Sequence, residues 1–286
     1  MNTGSAFSIG KTHDVCEDYA ISNKNSVVVS DGCSSSPRTD IGSRLLCLNA
    51  IRLLPNFKTI YHFKEEQCLL ETRPSTAWLD LPTECLDATL LIAHFVNHPQ
   101  ACIYGDGYII VELKNGYKYI IRRDYTDSYP YYINYVYDHK GRYEDWLAYH
   151  NKTKVSFSIL SPDGGHTTIS DKCNFIDIEK VENSVVNIST EPYRTIVTIV
   201  DISQVKYISI SSDGLGSFYQ TNYTDTSKTN KSISDIDVIQ RLFSFKNFNG
   251  QFVQRRMNKF LKDCNKDNWY NADDISLGVI YLGKIR

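Results

Sequence analysis

Val27-Val28-Val29-Ser30-Asp31-Gly32 is a β-branched run that stops abruptly at Asp-Gly. β-Branched residues favour strands and glycine favours turns, so the run predicts a buried strand that places a carboxylate at its end. The design recurs far downstream, where the strand-like run Tyr207-Ile208-Ser209-Ile210-Ser211 is followed by Ser212-Asp213-Gly214. If both strands belong to one sheet and leave it at the same edge, Asp31 and Asp213 meet at a common rim. Taken singly, either Asp-Gly is better explained as a plain turn.

The composition describes a globular chain without a charge bias. With 286 residues, of which 42% are hydrophobic, the sequence can fill a large core, and we expect residues 1–286 to form a single domain. A formal charge of -2 gives no basic footprint, so the sequence predicts neither a nucleic-acid partner nor an anionic membrane partner. The N-terminus lacks the charged and apolar regions of a secretion signal, and no apolar stretch is long enough to span a bilayer, so we expect a cytoplasmic protein.

Turn residues and apolar periodicity predict a largely antiparallel sheet structure with several helices. Strands are predicted at residues 6–9, 19–21, 89–96, 101–104, 155–160, 193–200 and 275–282, with a hairpin of 109–113 and 117–121. The hairpin turns at Asn115-Gly116, a strong short-range turn signal. Helices are predicted at 65–72, in two amphipathic segments after the capping Ser234, and in a segment with the apolar face Leu45, Leu46, Leu48, Leu53 and Leu54.

Three segments are harder to interpret. Residues 74–82, bounded by two prolines, are expected to be a connection, and the polar residues 216–232 a long loop beside the candidate site. The tyrosine-rich residues 125–137 are expected to form half-buried strands. A base-stacking surface with Arg122 and Arg123 is the alternative there, and the net charge disfavours it.

Aspartates recur where predicted strands begin or end. The five are Asp18, Asp31, Asp106, Asp213 and Asp273. If one rim collects them, each neighbouring pair repels by roughly 1–4 kcal/mol at about 4 Å, which folding tolerates only with a compensating cation. Hard oxygen ligands select Mg²⁺ or Mn²⁺, and two such ions that share a carboxylate can activate water for an in-line displacement at phosphorus. Five unrelated turn aspartates remain the simpler alternative, which their similar local settings weaken.

In this order the motifs resemble those of the metal-dependent 2C-type protein serine/threonine phosphatases, particularly their compact prokaryotic branch. Gly10-Lys11-Thr12-His13 with Cys16-Glu17-Asp18, followed by Ser30-Asp31-Gly32 and Gly42-Ser43-Arg44, resembles the opening motifs of that branch. The later counterparts, in the order in which the family has them, are Ala88-Thr89-Leu90-Leu91, Gly105-Asp106-Gly107, Ser212-Asp213-Gly214-Leu215 and Asp273-Asp274-Ile275-Ser276. The likeness spans residues 10–282, and the order of the motifs makes it specific.

The resemblance implies an α+β fold in which a central β-sandwich of two mostly antiparallel sheets is flanked by helices, in four αββα layers. It implies hydrolysis of phosphoserine and phosphothreonine by a metal-bound water at a dinuclear Mn²⁺ or Mg²⁺ centre, with no covalent intermediate. The implied partners are phosphorylated proteins and a cognate serine/threonine kinase.

By position, the resemblance also assigns the metal ligands. Asp31 bridges both ions, Asp213 and Asp273 complete one, and the Gly32 carbonyl and Asp18 serve the other. Asp106 matches the position that some bacterial members use for a third ion.

Four positions depart from the family pattern. His13 stands where many members have the arginine that grips the phosphate, so we expect His13 to act on the phosphate or the leaving group, unless it only bonds within its own loop. Cys33 replaces a histidine thought in some members to protonate the leaving oxygen. Asp274 replaces an asparagine beside the metals, and Gly107 replaces a serine near the third ion.

Two alternative functions and a regulatory oxidation of cysteine stay open. One function is a catalytically silent relative that binds phosphoproteins, which the presence of Asp31, Asp213 and Asp273 disfavours. The other is a different two-metal hydrolase such as a nuclease, which the weak basic character disfavours. The cysteines form no C-x-x-C pair and are expected to be reduced, but Cys16 and Cys33 lie close enough to functional carboxylates for a regulatory oxidation if their thiol pKa values are low.

Overall fold

The structure is a computed structural model that describes residues 1–125, 129–137, 141–150, 153–173, 179–182, 184–223 and 228–283. The strands in these ranges are β1 Asn2–Ser8, β2 Tyr19–Ser22, β3 Ser26–Ser30, β4 Leu90–Phe95, β5 Pro99–Tyr104, β6 Gly107–Leu113, β7 Lys118–Tyr125, β8 Thr153–Leu160, β9 His166–Cys173, β10 Glu179–Glu182, β11 Val186–Thr190, β12 Arg194–Ile199, β13 Val205–Ser211, β14 Phe218–Tyr223, β15 Lys228–Ser232, β16 Trp269–Asn271 and β17 Ile275–Tyr281.

The α-helices in the same ranges are α1 Thr39–Leu53, α2 Glu65–Trp78, α3 Arg142–Asp145, α4 Asp235–Leu242 and α5 Phe252–Lys266. Shorter 3₁₀ turns occupy Leu54–Asn56, Ile60–His62, Thr83–Leu86, Ile133–Tyr137 and Asp213–Gly216, and a π-helical turn occupies Trp146–His150. None of the helices in the described ranges is both long and apolar enough to cross a bilayer.

Two seven-stranded antiparallel sheets form the centre of the molecule. The first has the order β1-β17-β13-β6-β7-β8-β9, and the second has the order β10-β11-β12-β5-β4-β3-β2. Three layers of buried side chains separate four layers of secondary structure. One apolar layer lies between the two sheets, one between the second sheet and helices α1 and α2, and one between the first sheet and helices α4 and α5. This arrangement confirms the predicted αββα sandwich.

Strand β3 shows why the sequence has a continuous apolar run at this point. Val27 and Val29 face the layer between the sheets, while Val28 faces the layer beneath α1 and α2, and all three side chains are fully buried. Since successive residues of a strand point to opposite faces, a strand covered on both faces needs an apolar residue at every position. The run therefore predicts an internal strand, which is what the structure contains.

The sheets approach closely at Gly278 of β17. A Cβ atom built on Gly278 would lie 2.7 Å from the Cβ of Val27 on the opposite sheet. We therefore expect Gly278→Ala to destabilise the protein by about 1–3 kcal/mol through overpacking. Val27→Ala should recover part of that loss in the double variant although it is destabilising alone, and urea unfolding of the four proteins measures the coupling. Additive losses would show that the two residues do not compete for the same space.

Three predicted segments differ from the structure. The predicted helix 65–72 continues as α2 to Trp78, with Pro74 inside it rather than in a connection. Thr72 and Thr76 on either side of this proline are buried, so packing outweighs the cost of a proline in the helix. Much of the predicted loop 216–232 is strand: β14 pairs with β15, and β14 also pairs with β16 in a three-stranded sheet, while residues 224–227 lie outside the described residues.

The tyrosine-rich prediction is also wrong beyond β7. Residues 129–137 lie outside the strands and end in a 3₁₀ turn, because the Tyr131 ring packs against Trp146 and the neighbouring tyrosine rings cluster on Tyr135 instead of alternating across a sheet. Residues 126–128 of the predicted segment lie outside the described residues. The centroid of the Tyr131 ring lies 5.1 Å from that of Trp146 and 6.3 Å from that of Tyr135. In α1, Leu48 is 46% exposed and does not belong to the apolar face.

Candidate functional site

Asp31 directly follows β3, at the end of that strand in the second sheet. Its backbone N–H donates to Thr89 Oγ1 at 3.1 Å, and its carbonyl accepts from the Thr89 N–H at 2.8 Å. Ser30 Oγ also donates to the Thr89 carbonyl at 2.6 Å. These bonds fix the end of β3 to the residue preceding β4, so the Asp31 carboxylate is held in place by the backbone. Thr89 was part of a recognised motif, and its role here is to anchor Asp31.

Asp213 reaches the same place from the other sheet. It follows β13, whereas Asp31 follows β3 of the facing sheet, so the two strands do not share one sheet, which was the condition considered for their meeting. The two carboxyl groups are nevertheless close enough to influence each other's pKa. Burial raises the pKa of both carboxyls above the ordinary range, and the charges of Asp18 and Asp213 raise that of Asp31 further. The two sheets thus bring together carboxylates that repel when ionised.

Asp18 lies beside Asp31 and is completely buried. Its Oδ2 accepts a hydrogen bond from Ser212 Oγ at 2.7 Å, and Ser212 Oγ in turn accepts from the Ser276 N–H at 3.0 Å. Burial raises the pKa of Asp18 to about 7, although hydrogen bonds from Asp31 and Ser212 oppose the rise. Ser212 orients Asp18, a role that its place in the Ser-Asp-Gly motif did not reveal.

Two further carboxylates lie on the wall of the site. Asp106 stands in the turn between β5 and β6, and burial together with the charges of Asp213 and Asp124 raises its pKa well above the ordinary value. Asp124 on β7 was not predicted from the sequence, because the predicted strand ended at residue 121. Its Oδ2 forms an ion pair of 2.6 Å with Arg122 Nη2, so the cation that balances it is already engaged.

Asp273 and Asp274 are adjacent but play different parts. Asp273 is partly exposed and lines the site, and its pKa is raised by burial and by the charge of Asp213. Asp274 is buried and points away, toward the loop 10–18 at the N-terminus. Gly214 contacts this turn so closely that a Cβ there would lie 1.8 Å from the Asp274 carbonyl oxygen. The glycine of the Ser-Asp-Gly motif is thus required by this close backbone approach.

His13 lies among carboxylates. Its Nε2 is 3.5 Å from Asp273 Oδ1, and its Nδ1 is 3.2 Å from Asp274 Oδ2 and 3.9 Å from Glu17 Oε2. Burial lowers the pKa of His13, but the nearby Asp274 carboxylate, with the charges of Asp273 and Glu17, outweighs burial and raises the pKa. His13 is not among the residues that line the carboxylate pocket. Its expected contact with the phosphate stays a prediction.

The site is a pocket of about 220 Å³ between the two sheets. Its lining consists of Asp31, Gly32, Cys33, Ser34, Thr89, Asp106, Asp124, Pro130, Tyr132, Asp213 and Asp273. These residues include five carboxylates and, within the described part of the chain, no arginine, lysine or histidine. Asp18 lies behind this surface against Asp31. The structure therefore brings together the five predicted strand-end aspartates.

The donor set fits divalent cations that prefer oxygen. In the described residues, no group of three or more His, Cys, Asp or Glu side chains is arranged so that it could hold a metal ion without moving. Two buried carboxylate oxygens, Asp18 Oδ1 and Asp213 Oδ1, have no hydrogen-bond partner there. Buried charged oxygens are rarely left without a partner, and carboxylates crowded without cations favour hard ions such as Mg²⁺ and Mn²⁺. The chemistry of the donors thus agrees with the metal site expected from the sequence.

The structure disfavours a redox role for Cys16. Burial and the charges of Asp274 and Asp18 raise the pKa of the Cys16 thiol to about 12, which leaves little thiolate near neutral pH. Cys33 lies in the pocket lining with its Sγ 3.0 Å from Ser35 Oγ. The cysteines whose side chains the structure describes are free, as the sequence predicts for reduced thiols.

Comparison with known protein families gives a match over nearly the whole chain. The family model described as protein phosphatase 2C matches residues 10–262. The chain belongs to the protein phosphatase 2C family. Membership confirms the resemblance and makes the chain a protein serine/threonine phosphatase by family. Six of the seven predicted site residues lie within the matched range, whereas Asp273 lies beyond it, and the structure places Asp273 in the pocket lining.

Solved phosphatases are similar to this chain at very low sequence identity. The serine/threonine phosphatase PstP/Ppp of Mycobacterium tuberculosis is 10% identical, with a TM-score of 0.50 over 97% of this chain and 96% of that one. The phosphatase MsPP of Mycobacterium smegmatis, solved with cacodylate, is 13% identical, with a TM-score of 0.46 over 99% of each chain. The PstP catalytic domain in complex with two manganese ions is 11% identical, with a TM-score of 0.44 over 97% of this chain and 96% of that one. No curated protein sequence matches this phosphatase significantly.

Proposed function

We propose that this phosphatase hydrolyses phosphoserine and phosphothreonine in proteins, with Mn²⁺ or Mg²⁺ bound in the carboxylate pocket. The observation that carries the proposal is the charge of that pocket, whose described lining holds five carboxylates and no basic side chain. A phosphate monoester carries close to two negative charges at neutral pH, so this surface repels it unless cations are present. Metal dependence therefore follows from the residues themselves and agrees with family membership.

Two ions are proposed, as the family resemblance implies. Asp31 is proposed to bind both, because its carboxyl interacts with both Asp18 and Asp213. Asp213 and Asp273 would complete one site, and Asp18 with the Gly32 carbonyl would serve the other. Asp106, whose carboxyl lies on the pocket wall, is the proposed ligand of a third ion. When bound, such ions lower the pKa of water and neutralise the phosphoryl oxygens.

The chain's own residues hold this constellation rigid. Thr89 fixes the backbone of Asp31, and Ser212 fixes the Asp18 carboxylate. Cys33, Ser34 and Tyr132 supply the uncharged polar lining against which a substrate can rest. Ligands held within a fraction of an ångström of the required position lower the reorganisation needed during phosphoryl transfer.

The proposal implies a partner enzyme. A phosphatase of this specificity needs proteins phosphorylated by a serine/threonine kinase, so a cognate kinase of that class is the proposed counterpart. Both enzymes would act in the compartment that the sequence predicts, the cytoplasm.

Hydrolysis of phosphoserine and phosphothreonine peptides is expected to require added Mn²⁺ or Mg²⁺. In excess EDTA, kcat/KM should fall by at least about a thousandfold, because metal ions supply several kcal/mol of charge stabilisation in the transition state. Phosphate release is measured after exhaustive chelation and again after Mn²⁺ or Mg²⁺ is restored. Full turnover in EDTA would overturn the proposal.

Two comparisons separate the remaining alternatives. A phosphotyrosine peptide of otherwise the same sequence tests whether the enzyme is specific for the phosphate esters of serine and threonine. Tight binding of the phosphopeptides with no hydrolysis at any Mn²⁺ concentration would identify a silent phosphoprotein-binding module instead.

A further inference from the structure

The Asp274 carboxylate ties together both ends of the loop 10–18. Its Oδ1 accepts the Gly10 N–H at 2.7 Å, and its Oδ2 accepts the Glu17 N–H at 2.5 Å. The Asp18 N–H lies 3.4 Å from the same Oδ2. Asp274 is only 2% exposed, and each of its oxygens is used by a backbone donor of the loop. The Asp274 side chain thus holds the backbone at both ends of this loop and next to Asp18.

The loop is also held along its length against the segment that carries Asp274. The Lys11 N–H donates to the Asn271 carbonyl at 3.0 Å, and the Thr12 N–H donates to the Ala272 carbonyl at 3.1 Å. A Cβ atom on Gly10 would lie 2.3 Å from the Asp273 carbonyl carbon, so the two backbones are in direct contact. The positions of Asp18 and Asp273 on the two sides of the pocket therefore depend on one shared contact surface.

His13 is the basic side chain at this contact surface. It contacts Asp274, Asp273 and Glu17, at 3.2, 3.5 and 3.9 Å respectively. Asp274 and His13 are both positions at which the sequence departs from the family pattern of asparagine and arginine, and in the structure the two departures are in contact. An asparagine at position 274 would offer one acceptor oxygen and one NH₂ donor, and the donor would face a backbone N–H. A carboxylate at position 274 can therefore accept both backbone N–H groups of the loop, and the basic side chain of His13 faces that carboxylate.

We infer that Asp274 and His13 form one positioning unit that sets the Asp18 and Asp273 carboxylates for metal binding, without ligating the metal. This inference rests on the proposed function. It assigns His13 to Asp274 rather than to the substrate phosphate, and it separates Asp274 from the neighbouring ligand Asp273. Residues that orient metal ligands affect metal affinity by about 10–100-fold when replaced.

The decisive variant is Asp274→Glu, which keeps the charge but displaces the carboxylate by a methylene group. Mn²⁺ affinity, measured by isothermal titration calorimetry on the full chain, is expected to fall at least tenfold for Asp274→Glu and Asp274→Asn. The matched control is Asp14→Asn, which removes a charge from an exposed residue of the same loop and should stay within about twofold. Wild-type Mn²⁺ affinity in Asp274→Glu would overturn the inference, because charge alone would then suffice.

The role of His13 is tested by a double-mutant cycle. His13→Gln should weaken Mn²⁺ binding at least threefold when Asp274 is present and have little effect in the Asp274→Asn background, since the cation serves that carboxylate. At saturating Mn²⁺, the KM of a phosphopeptide should stay within about twofold. Additive effects on Mn²⁺ affinity, or a large KM increase in both backgrounds, would overturn the pairing and return His13 to the phosphate.

A measurement on the wild-type protein covers the case in which the variants do not fold. The Gly10 and Glu17 amides should exchange with deuterium more slowly than those of exposed residues in the same loop, since Asp274 accepts from both. Fast exchange at both amides would contradict the inference. Because calorimetry and exchange do not depend on turnover, a wild-type protein that binds Mn²⁺ but hydrolyses nothing would count against the proposed function and leave the positioning unit standing.

Discussion

Asp213→Asn is expected to lower kcat by at least about a thousandfold and to raise the melting temperature of the metal-free protein. The loss of activity follows from the removal of a proposed metal ligand, which is worth several kcal/mol in the transition state. The gain in stability follows from the contact between Asp213 and Asp31, which repel by roughly 1–4 kcal/mol when both are ionised at about 4 Å. Neutral asparagine retains the shape and removes that repulsion.

The two effects are measured on the same preparations. Phosphopeptide turnover at saturating Mn²⁺ gives the first, and thermal unfolding after exhaustive chelation at pH 8 gives the second. Each kcal/mol corresponds to about 2–4 °C for a chain of this size, so a rise of several degrees is expected. Asp14→Asn, at an exposed position, serves as the matched control and should change neither quantity. Activity within tenfold of wild type, or a lower metal-free melting temperature, would contradict the assignment of Asp213.

The strand-end aspartates could be predicted from the sequence because their signals are local. A β-branched run followed by Asp-Gly predicts a strand, its end and a carboxylate in one short stretch, and both Asp31 and Asp213 were found this way. The same pattern contains nothing about which sheet a strand joins. In the structure the two strands lie in different sheets, and the carboxylates meet across the sandwich instead of along one edge.

The contacts that the sequence did not reveal join residues distant in sequence. Ser212 and Asp18 are 194 positions apart, and Asp274 and Gly10 are 264 apart. Asp124 lies within β7, where no glycine or break in the pattern marks it. A local pattern cannot indicate that Asp274 points away from the pocket while Asp273 points into it.

The hairpin of β14 and β15 was missed for a different reason. Its residues are polar, so the composition of 216–232 is that of a loop. The hairpin is stabilised by what it pairs with, since Phe218 of β14 is buried against Phe260 of α5 and β14 also pairs with β16. Strand preference depends strongly on such neighbours, which the sequence alone does not provide.

The metal-free protein is expected to lose stability as the pH rises from about 5 to 8. Burial raises the pKa of Asp18 from 3.8 to about 7, and the pKa values of Asp31, Asp106, Asp213 and Asp273 are raised as well. A carboxyl whose pKa is higher in the folded than in the unfolded state binds its proton more tightly when folded. Its contribution to stability is therefore complete below the unfolded pKa and is lost as the pH rises through the folded pKa.

The raised pKa of His13 acts in the same direction, because its proton is also bound more tightly in the folded state. For Asp18 alone, the part of this change that falls between pH 5 and 8 is on the order of 3 kcal/mol, so the metal-free melting temperature should fall by roughly 5–10 °C across this window. Most proteins whose carboxylates are paired with basic groups show the opposite trend over acidic pH. A metal-free melting temperature that rises between pH 5 and 8 would therefore contradict the crowding of carboxylates in this pocket.

Mn²⁺ should reverse the trend. Metal ions bind the deprotonated carboxylates, so their stabilising effect grows as protons leave, and the melting curves with and without Mn²⁺ should diverge as the pH rises. Thermal unfolding at half-unit pH intervals, in EDTA and in excess Mn²⁺, measures both slopes. Asp213→Asn should flatten the metal-free slope and reduce the divergence, because it removes one titrating group and one metal ligand, whereas Asp14→Asn should follow the wild-type curves. Parallel curves for the wild type would mean that protons and Mn²⁺ do not compete for the same oxygens, and the carboxylate pocket would then not be the metal site.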